Sequence, residues 1–208
     1  MALNFLISAL VTLLVVVDPV GLVPAFLGVT EGLSQTLRRQ VALRAALIAG
    51  LILIGAALIG DWLLTVLAIS LSAFRIAGGL LLFSIATEMV FGVRIRRESE
   101  TAEQAIEERA HNIAAFPLAI PLMAGPGAIT ATVLLAGRAD ADLLLLSVLL
   151  AVIIAVAAAC FVAFLLAGRI GRLLGVTGNI VLSRLLGVIL AALAVQYVVD
   201  GIRAILRT

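Results

Sequence analysis

Lysine is absent from the 208 residues, cysteine, histidine, tryptophan and tyrosine occur once each, and charged residues make up only 12% of the chain. A soluble domain carries about twice that share of charge, so an ordinary soluble fold is excluded. The lone Cys160 excludes an internal disulfide and a multi-cysteine metal site, and it leaves the redox compartment open. The lone His111 reads as a surface residue rather than a metal ligand. A membrane-embedded enzyme would need a nucleophile with a base, paired carboxylates or a metal cluster. None of these is evident, and no nucleotide-binding motif is present, which excludes a self-contained ATP-driven pump. The expectation is a non-enzyme with no cofactor and no metal.

What the chain has instead is apolar residues, 64% of the total, with a mean hydropathy of +1.30. That is the composition of an integral membrane protein. The opening residues lack the basic region and cleavage site of a signal peptide, so the first apolar run is expected to persist as a span. At about 20 residues per crossing, six runs are expected to span: 2–28 (interrupted by Asp18), about 41–60, about 70–92, 113–137, 143–168 and 179–199. Pattern alone does not decide whether Trp62–Ile69 extends a helix or lies along the interface. If the six runs alternate, Arg38, Arg39, Arg44, Arg94, Arg96, Arg97, Arg109, Arg169 and Arg172 share one side, and Arg138, Arg203 and Arg207 the other. The positive-inside rule then puts the first group in the cytoplasm and both termini outside. Arginines placed between apolar runs orient a membrane protein, so nucleic-acid binding is rejected despite a pI near 9.5.

The chain divides into a first three-span unit (1–92), a solvated cytoplasmic linker (93–112) and a second three-span unit (113–208). The units share landmarks in register. Pro19 and Pro126 are 107 residues apart, while Arg75 and Arg184, Gly78 and Gly187, and Gly92 and Gly201 are each 109 apart. Such agreement argues for duplication, and an odd number of crossings per copy inverts the second. Inverted repeats of this kind characterise many secondary transporters.

Two stretches carry chemistry. Asp18-Pro19-Val20-Gly21-Leu22-Val23-Pro24 places an acid, two prolines and a glycine inside the first run, where a charge near the bilayer centre costs about 2.5–3.5 kcal/mol. A helix that stops and restarts satisfies such a sequence better, with Asp18 as N-cap and Pro19 as first residue of the new half-helix. A kinked helix with a capping aspartate and no ligand is the competing reading. In the second unit Pro117, Pro121 and Gly125-Pro126-Gly127 form an uncharged breaker followed by Thr130 and Thr132. Two breaks near the midplane would present half-helix N-termini to an anionic group such as a carboxylate. Asp18 would meet an ammonium or carry a proton. A small zwitterion fits both, whereas phosphate would want basic residues near the break and a metal several donor side chains, and neither set is apparent. Arg75 and Arg184 read as interfacial residues or as gates, Glu88 as an interface residue or a coupling-ion carboxylate, and Gln196 as a cavity-facing polar group.

At these residues the sequence resembles the MarC/SnatA family of bacterial inner-membrane proteins, through the Asp18-to-Gly21 break, Phe74-Arg75-Ile76-Ala77-Gly78-Gly79, the Phe116-to-Thr130 segment and Leu190-to-Gln196. The resemblance implies an all-α membrane protein of six helices in two inverted three-helix repeats, with some members transporting small neutral amino acids such as glycine and alanine. By motif it implies a binding region of Asp18, Pro19, Gly21, Pro24, Gly125, Pro126, Gly127 and Thr130, with Arg75, Glu88, Arg184 and Gln196 as gating or coupling candidates. The departure is Leu22, where many members carry asparagine; if that asparagine touches substrate or ion, specificity or coupling differs here. The expected partners are a small neutral amino acid, a coupling proton or sodium ion and membrane lipid, in a monomer or homo-oligomer. The alternatives are a non-transporting structural or regulatory membrane protein, and a transporter of another small solute.

Overall fold

The structure, a computed structural model, describes residues 2–94, 113–139 and 142–206. The expected linker beyond Arg94, with His111 and its glutamates, lies outside the described residues. Among the described residues eight helices follow in order: α1 (Ala2–Val17), α2 (Val23–Val29), α3 (Gln35–Val66), α4 (Leu71–Phe91), α5 (Ala114–Met123), α6 (Pro126–Ala139), α7 (Leu143–Leu165) and α8 (Ala167–Leu206). Every regular element among the described residues is helical. Among the described residues four helices, α3, α4, α7 and the Thr177–Leu206 part of α8, are long and apolar enough to cross a membrane. There are five if α5 and α6, bent by 57°, form one span.

Local chemistry sets the boundaries. Ser34, Ser70 and Asp142 cap α3, α4 and α7 by accepting from amides in their first turns. Gly92 ends α4 in the left-handed conformation, φ 75°. Gly175, φ 58°, divides the short opening segment of α8 from its long part. The residues left open by pattern, Trp62–Ile69, continue α3 as far as Val66, and Trp62 is 63% exposed near the helix end. At 32 residues α3 runs about 48 Å, longer than a hydrocarbon core of about 30 Å, so its arginine-bearing start and its Trp62 end reach the two interfaces.

On α3 most leucines face outward and small residues inward. Leu51, Leu58, Leu143 and Ile154 are exposed, as lipid-facing side chains should be, while the buried stripe of α3 is Ala42, Ala45, Ala46, Ala49, Gly50, Leu53, Ala57 and Gly60. Without a hydrophobic force between helices in lipid, such stripes bring backbones into van der Waals contact. The most extensive pairing is α4 against α8. There Gly79 meets Ala194 and Val198, Gly187 meets Met89 and Ala86, Gly201 meets Ile76 and Arg75, and Arg184 lies against Gly92. These last two contacts are reciprocal: each pairs one of the equally spaced arginines with the glycine matched to the other. The broken helices cross between units as well, α1 packing on α7 and α8, and α6 on α3 and α4.

A side chain at Gly79 would strike the Ala194 carbonyl and Val198. Gly79→Leu is therefore expected to destabilise the purified protein by about 1–3 kcal/mol, read as a lowered thermal midpoint in detergent. Leu51→Ala on the lipid face should leave that midpoint close to the parent's.

Candidate functional site

Two helix breaks and one arginine build the site. At the first break α1 stops at Val17 and Asp18 turns left-handed, φ 52°, a conformation aspartate tolerates better than most residues. Its amide still donates to the Leu14 carbonyl at 2.9 Å, and its carboxylate Oδ1 accepts from the Gly21 amide at 3.0 Å. Gly21 has to be glycine, because a Cβ there would collide with that carboxylate. Asp18 is 3% exposed. The expectation that Asp18 caps a half-helix beginning at Pro19 is corrected: it caps a turn, Leu22 is the N-cap of α2, and Pro24 occupies the first turn. The physical reason is that the left-handed residue needs one loop turn before helical geometry resumes. Leu22 is fully buried.

At the second break Phe116 and Ile120 hold extended backbone before Pro117 and Pro121, as the sterics of a residue preceding proline require. α6 then starts at Pro126, and its Gly127 and Ala128 amides open the helix with no intrahelical acceptor. A Cβ on Gly125 would strike the Pro121 carbonyl, and one on Gly127 would strike Ile85. A cavity of about 290 Å³ lies here, lined by Val16, Ile85, Arg94, Pro121 and Gly125 through Ala128 among others.

Arg94 overturns the expectation that no basic residue lies near a break and that this arginine opens a solvated linker. It is 6% exposed, donates from Nη2 to the Val16 carbonyl at 3.0 Å and from Nη1 to Met89 Sδ at 3.2 Å, and lines the cavity. The cause is the break itself. A helix that stops inside the bundle leaves carbonyls without partners at its negative end, and a guanidinium satisfies both needs. Asp18, two residues past Val16, interacts electrostatically with Arg94.

The long part of α8 supplies two further polar groups that pattern reading passed over. Ser183 donates to Asp18 Oδ2 at 3.5 Å, and Asn179, one turn earlier on the same face, is 6% exposed with neither amide atom hydrogen-bonded. Their i, i+4 spacing inside an apolar run is the signal that could have found them.

The remaining expected residues lie at different places. Gly125, Pro126 and Gly127 line the cavity; Asp18 and Gly21 form the neighbouring turn; Pro19 belongs to that turn, and Pro24 is exposed on α2. Thr130 is buried and packs on Gly78 of α4. Arg75 and Arg184 sit on the α4–α8 seam, and Glu88 is half-buried on α4. Gln196 is exposed and donates to Asp200 at 2.7 Å. Asp200 also pairs with Arg138 at 3.1 Å, and the Arg138 guanidinium lies 4.5 Å over the ring of buried Tyr197. Among the described residues no group of three or more His, Cys, Asp or Glu could hold a metal ion.

The chain matches the family described as MarC family integral membrane protein over residues 3–206. It is 38% identical to a UPF0056 membrane protein of Archaeoglobus fulgidus, covering 96% of this chain and 93% of that one. It is 39% identical to the UPF0056 membrane protein MJ1677 of Methanocaldococcus jannaschii over 99% and 100% of the two chains. The UPF0056 membrane protein YhcE of Escherichia coli is 35% identical, over 93% and 89%. No solved structure matches.

Asp18→Asn keeps an oxygen to accept from the Gly21 amide, whereas Asp18→Leu leaves that amide unpaired in a buried turn. Both variants remove the charge that faces Arg94, and the leucine variant should lose about 1–3 kcal/mol more than the asparagine variant, a difference readable from their thermal midpoints in detergent.

Proposed function

We propose that this chain, which belongs to the MarC family of integral membrane proteins, is a secondary transporter of small neutral amino acids such as glycine or alanine. It works by alternating access at the two helix breaks and is not an enzyme. The observation that carries the reading is opposite charge beside one small cavity: Arg94 and the open amides of α6 line it, and Asp18, in the turn next to it, interacts electrostatically with Arg94. The substrate carboxylate binds at Arg94 and the amides of Gly127 and Ala128, where the positive helix end adds to the guanidinium. The ammonium binds at Asp18, with Ser183 and the unpaired Asn179 amide as further partners. A cavity of about 290 Å³ lies at the low end of the roughly 300–1,000 Å³ of drug-sized ligand pockets, which suits a substrate with little side chain.

The six apolar runs act as six spans in two inverted repeats, and the reciprocal contacts of Arg75 with Gly201 and of Arg184 with Gly92 support a pseudo-twofold axis between α4 and α8. Both termini face outward by the distribution of arginines, in the plasma membrane, the inner membrane of a bacterial cell. In that orientation the cavity and Arg94 lie toward the cytoplasm. The Arg138–Asp200 pair over Tyr197 lies at the opposite end and, on this reading, serves as the outer closure. An ion gradient, of protons or sodium, or the substrate's own gradient drives flux. Arg94 also favours a second reading, a carrier for another small solute, an anion without an amine.

Uptake and counterflow of radiolabelled glycine and alanine in proteoliposomes, with proton and sodium gradients imposed separately, tests the reading. Saturable flux is expected in the parent and in Thr87→Val on the lipid face. Asp18→Asn and Arg94→Gln should each lower flux roughly 30-fold or more, the scale of losing one partner of a buried charge pair. Flux of acetate or phosphate that exceeds glycine and survives Asp18→Asn would establish the second reading. No flux of any of these from folded protein would sink both.

A further inference from the structure

Away from both breaks, a second cavity of about 540 Å³ opens where α3 begins and α7 gives way to α8. Its rim carries four arginines, Arg38 and Arg39 from the start of α3 and Arg169 and Arg172 from the opening segment of α8, and its floor includes Phe26 and Phe164. Those two rings stack at 4.4 Å and 6°. None of the four arginines is ion-paired among the described residues. Two of them use one nitrogen internally, Arg38 Nε donating to the Thr30 carbonyl at 3.1 Å and Arg172 Nε to the Gly168 carbonyl at 3.0 Å. These bonds hold the guanidinium stems in place and leave the terminal nitrogens free to donate.

The placement is electrostatically unfavourable as it stands. Both arginine pairs occupy the opening turns of helices, where the positive end of the macrodipole disfavours cations, and four like charges around one cavity repel one another. An anion bound between them removes both costs, and guanidinium groups match phosphate oxygens in two-pronged fashion. The surroundings are those of a membrane surface. Gly175 bends Ala167–Leu174 away from the long part of α8, Leu165 and Leu173 are exposed beside the arginines, and Gly171 packs on Leu27 of α2. An arginine rim above an aromatic and leucine-lined wall offers contacts to a phosphate and to the chain it is attached to.

We infer that this cavity is a phosphate-binding site whose occupant is the headgroup of an anionic phospholipid, held by Arg38, Arg39, Arg169 and Arg172. It is separate from the transport site and does not depend on the transport reading. Native mass spectrometry of the purified full chain in mixed micelles tests it, with phosphatidylglycerol and phosphatidylcholine as the two lipids. Phosphatidylglycerol should be retained in preference to phosphatidylcholine. Arg169→Gln with Arg172→Gln should lower its retention roughly tenfold, and Arg38→Gln with Arg39→Gln should do the same, since each lost arginine weakens attraction to an anionic headgroup. The two pairs come from different helices, so one remains informative if the other fails to fold. Arg44→Gln, on α3 but outside the cavity, is the control and should leave retention unchanged. Displacement of phosphatidylglycerol by millimolar inorganic phosphate would keep the phosphate site and move its source to solution. Equal retention of the two lipids with no stabilisation by inorganic phosphate overturns the site, as does a loss in Arg44→Gln equal to that of the double variants.

Discussion

In hydrocarbon every backbone polar group has to find its partner inside the protein, and this chain stops two helices where no water is assured. The arrangement of the bundle follows from how the freed groups are satisfied. At the first break the carboxylate of Asp18 takes the Gly21 amide and the Arg94 guanidinium takes the Val16 carbonyl. At the second, the Gly127 and Ala128 amides find no helical acceptor, and a cavity stands in front of them. One break is thus closed by the chain's own charges and the other is left open toward a space of molecular size. That asymmetry is what the proposed binding region rests on.

Holding two broken helices without a hydrophobic force between them demands close backbone contact, which explains the distribution of small residues. The glycines of α4 and α8 face one another along one seam, and each broken helix is gripped by long helices of the other half, α1 by α7 and α8, α6 by α3 and α4. The interlocking sets the two breaks side by side. Residues separated by more than a hundred positions, Gly21 and Gly125, thereby belong to one region although nothing in their local sequence connects them.

The legible part of this architecture was whatever a local pattern encodes. Apolar runs of about 20 residues pointed to α3, α4 and α7, though not to their ends, and Gly125-Pro126-Gly127 marked the break from which α6 starts, at Pro126. Asp18 and its neighbours announced a break, but not its geometry, since aspartate suits both an N-cap and a left-handed turn and only tertiary packing chooses between them. Arg94 was misread for a different reason. It lies two residues beyond the glycine that ends α4 and in front of a charged stretch, where composition argues for solvent. Its partner is a carbonyl 78 residues earlier, exposed only because another helix happens to stop there. Asn179 and Ser183 were legible in principle through their helical spacing, yet a search keyed to charge, proline and glycine passes over two small neutral side chains.

If the proposed transport reading holds, charge balance argues for the kind of cargo. On the proposed reading, the Asp18 carboxylate and the Arg94 guanidinium, both buried, form a compensated pair rather than a lone ion. Moving a net charge through low dielectric carries a desolvation penalty of several kcal/mol, and a carrier pays it again in each conformation it visits. A zwitterion leaves the total at zero and offers each protein charge a better-placed partner than the other can provide across the break. An anion alone would satisfy Arg94 but strand Asp18, and a cation alone would do the reverse. The loaded and empty forms of such a site therefore differ in contacts and not in net charge, the condition under which both can rearrange within the same membrane.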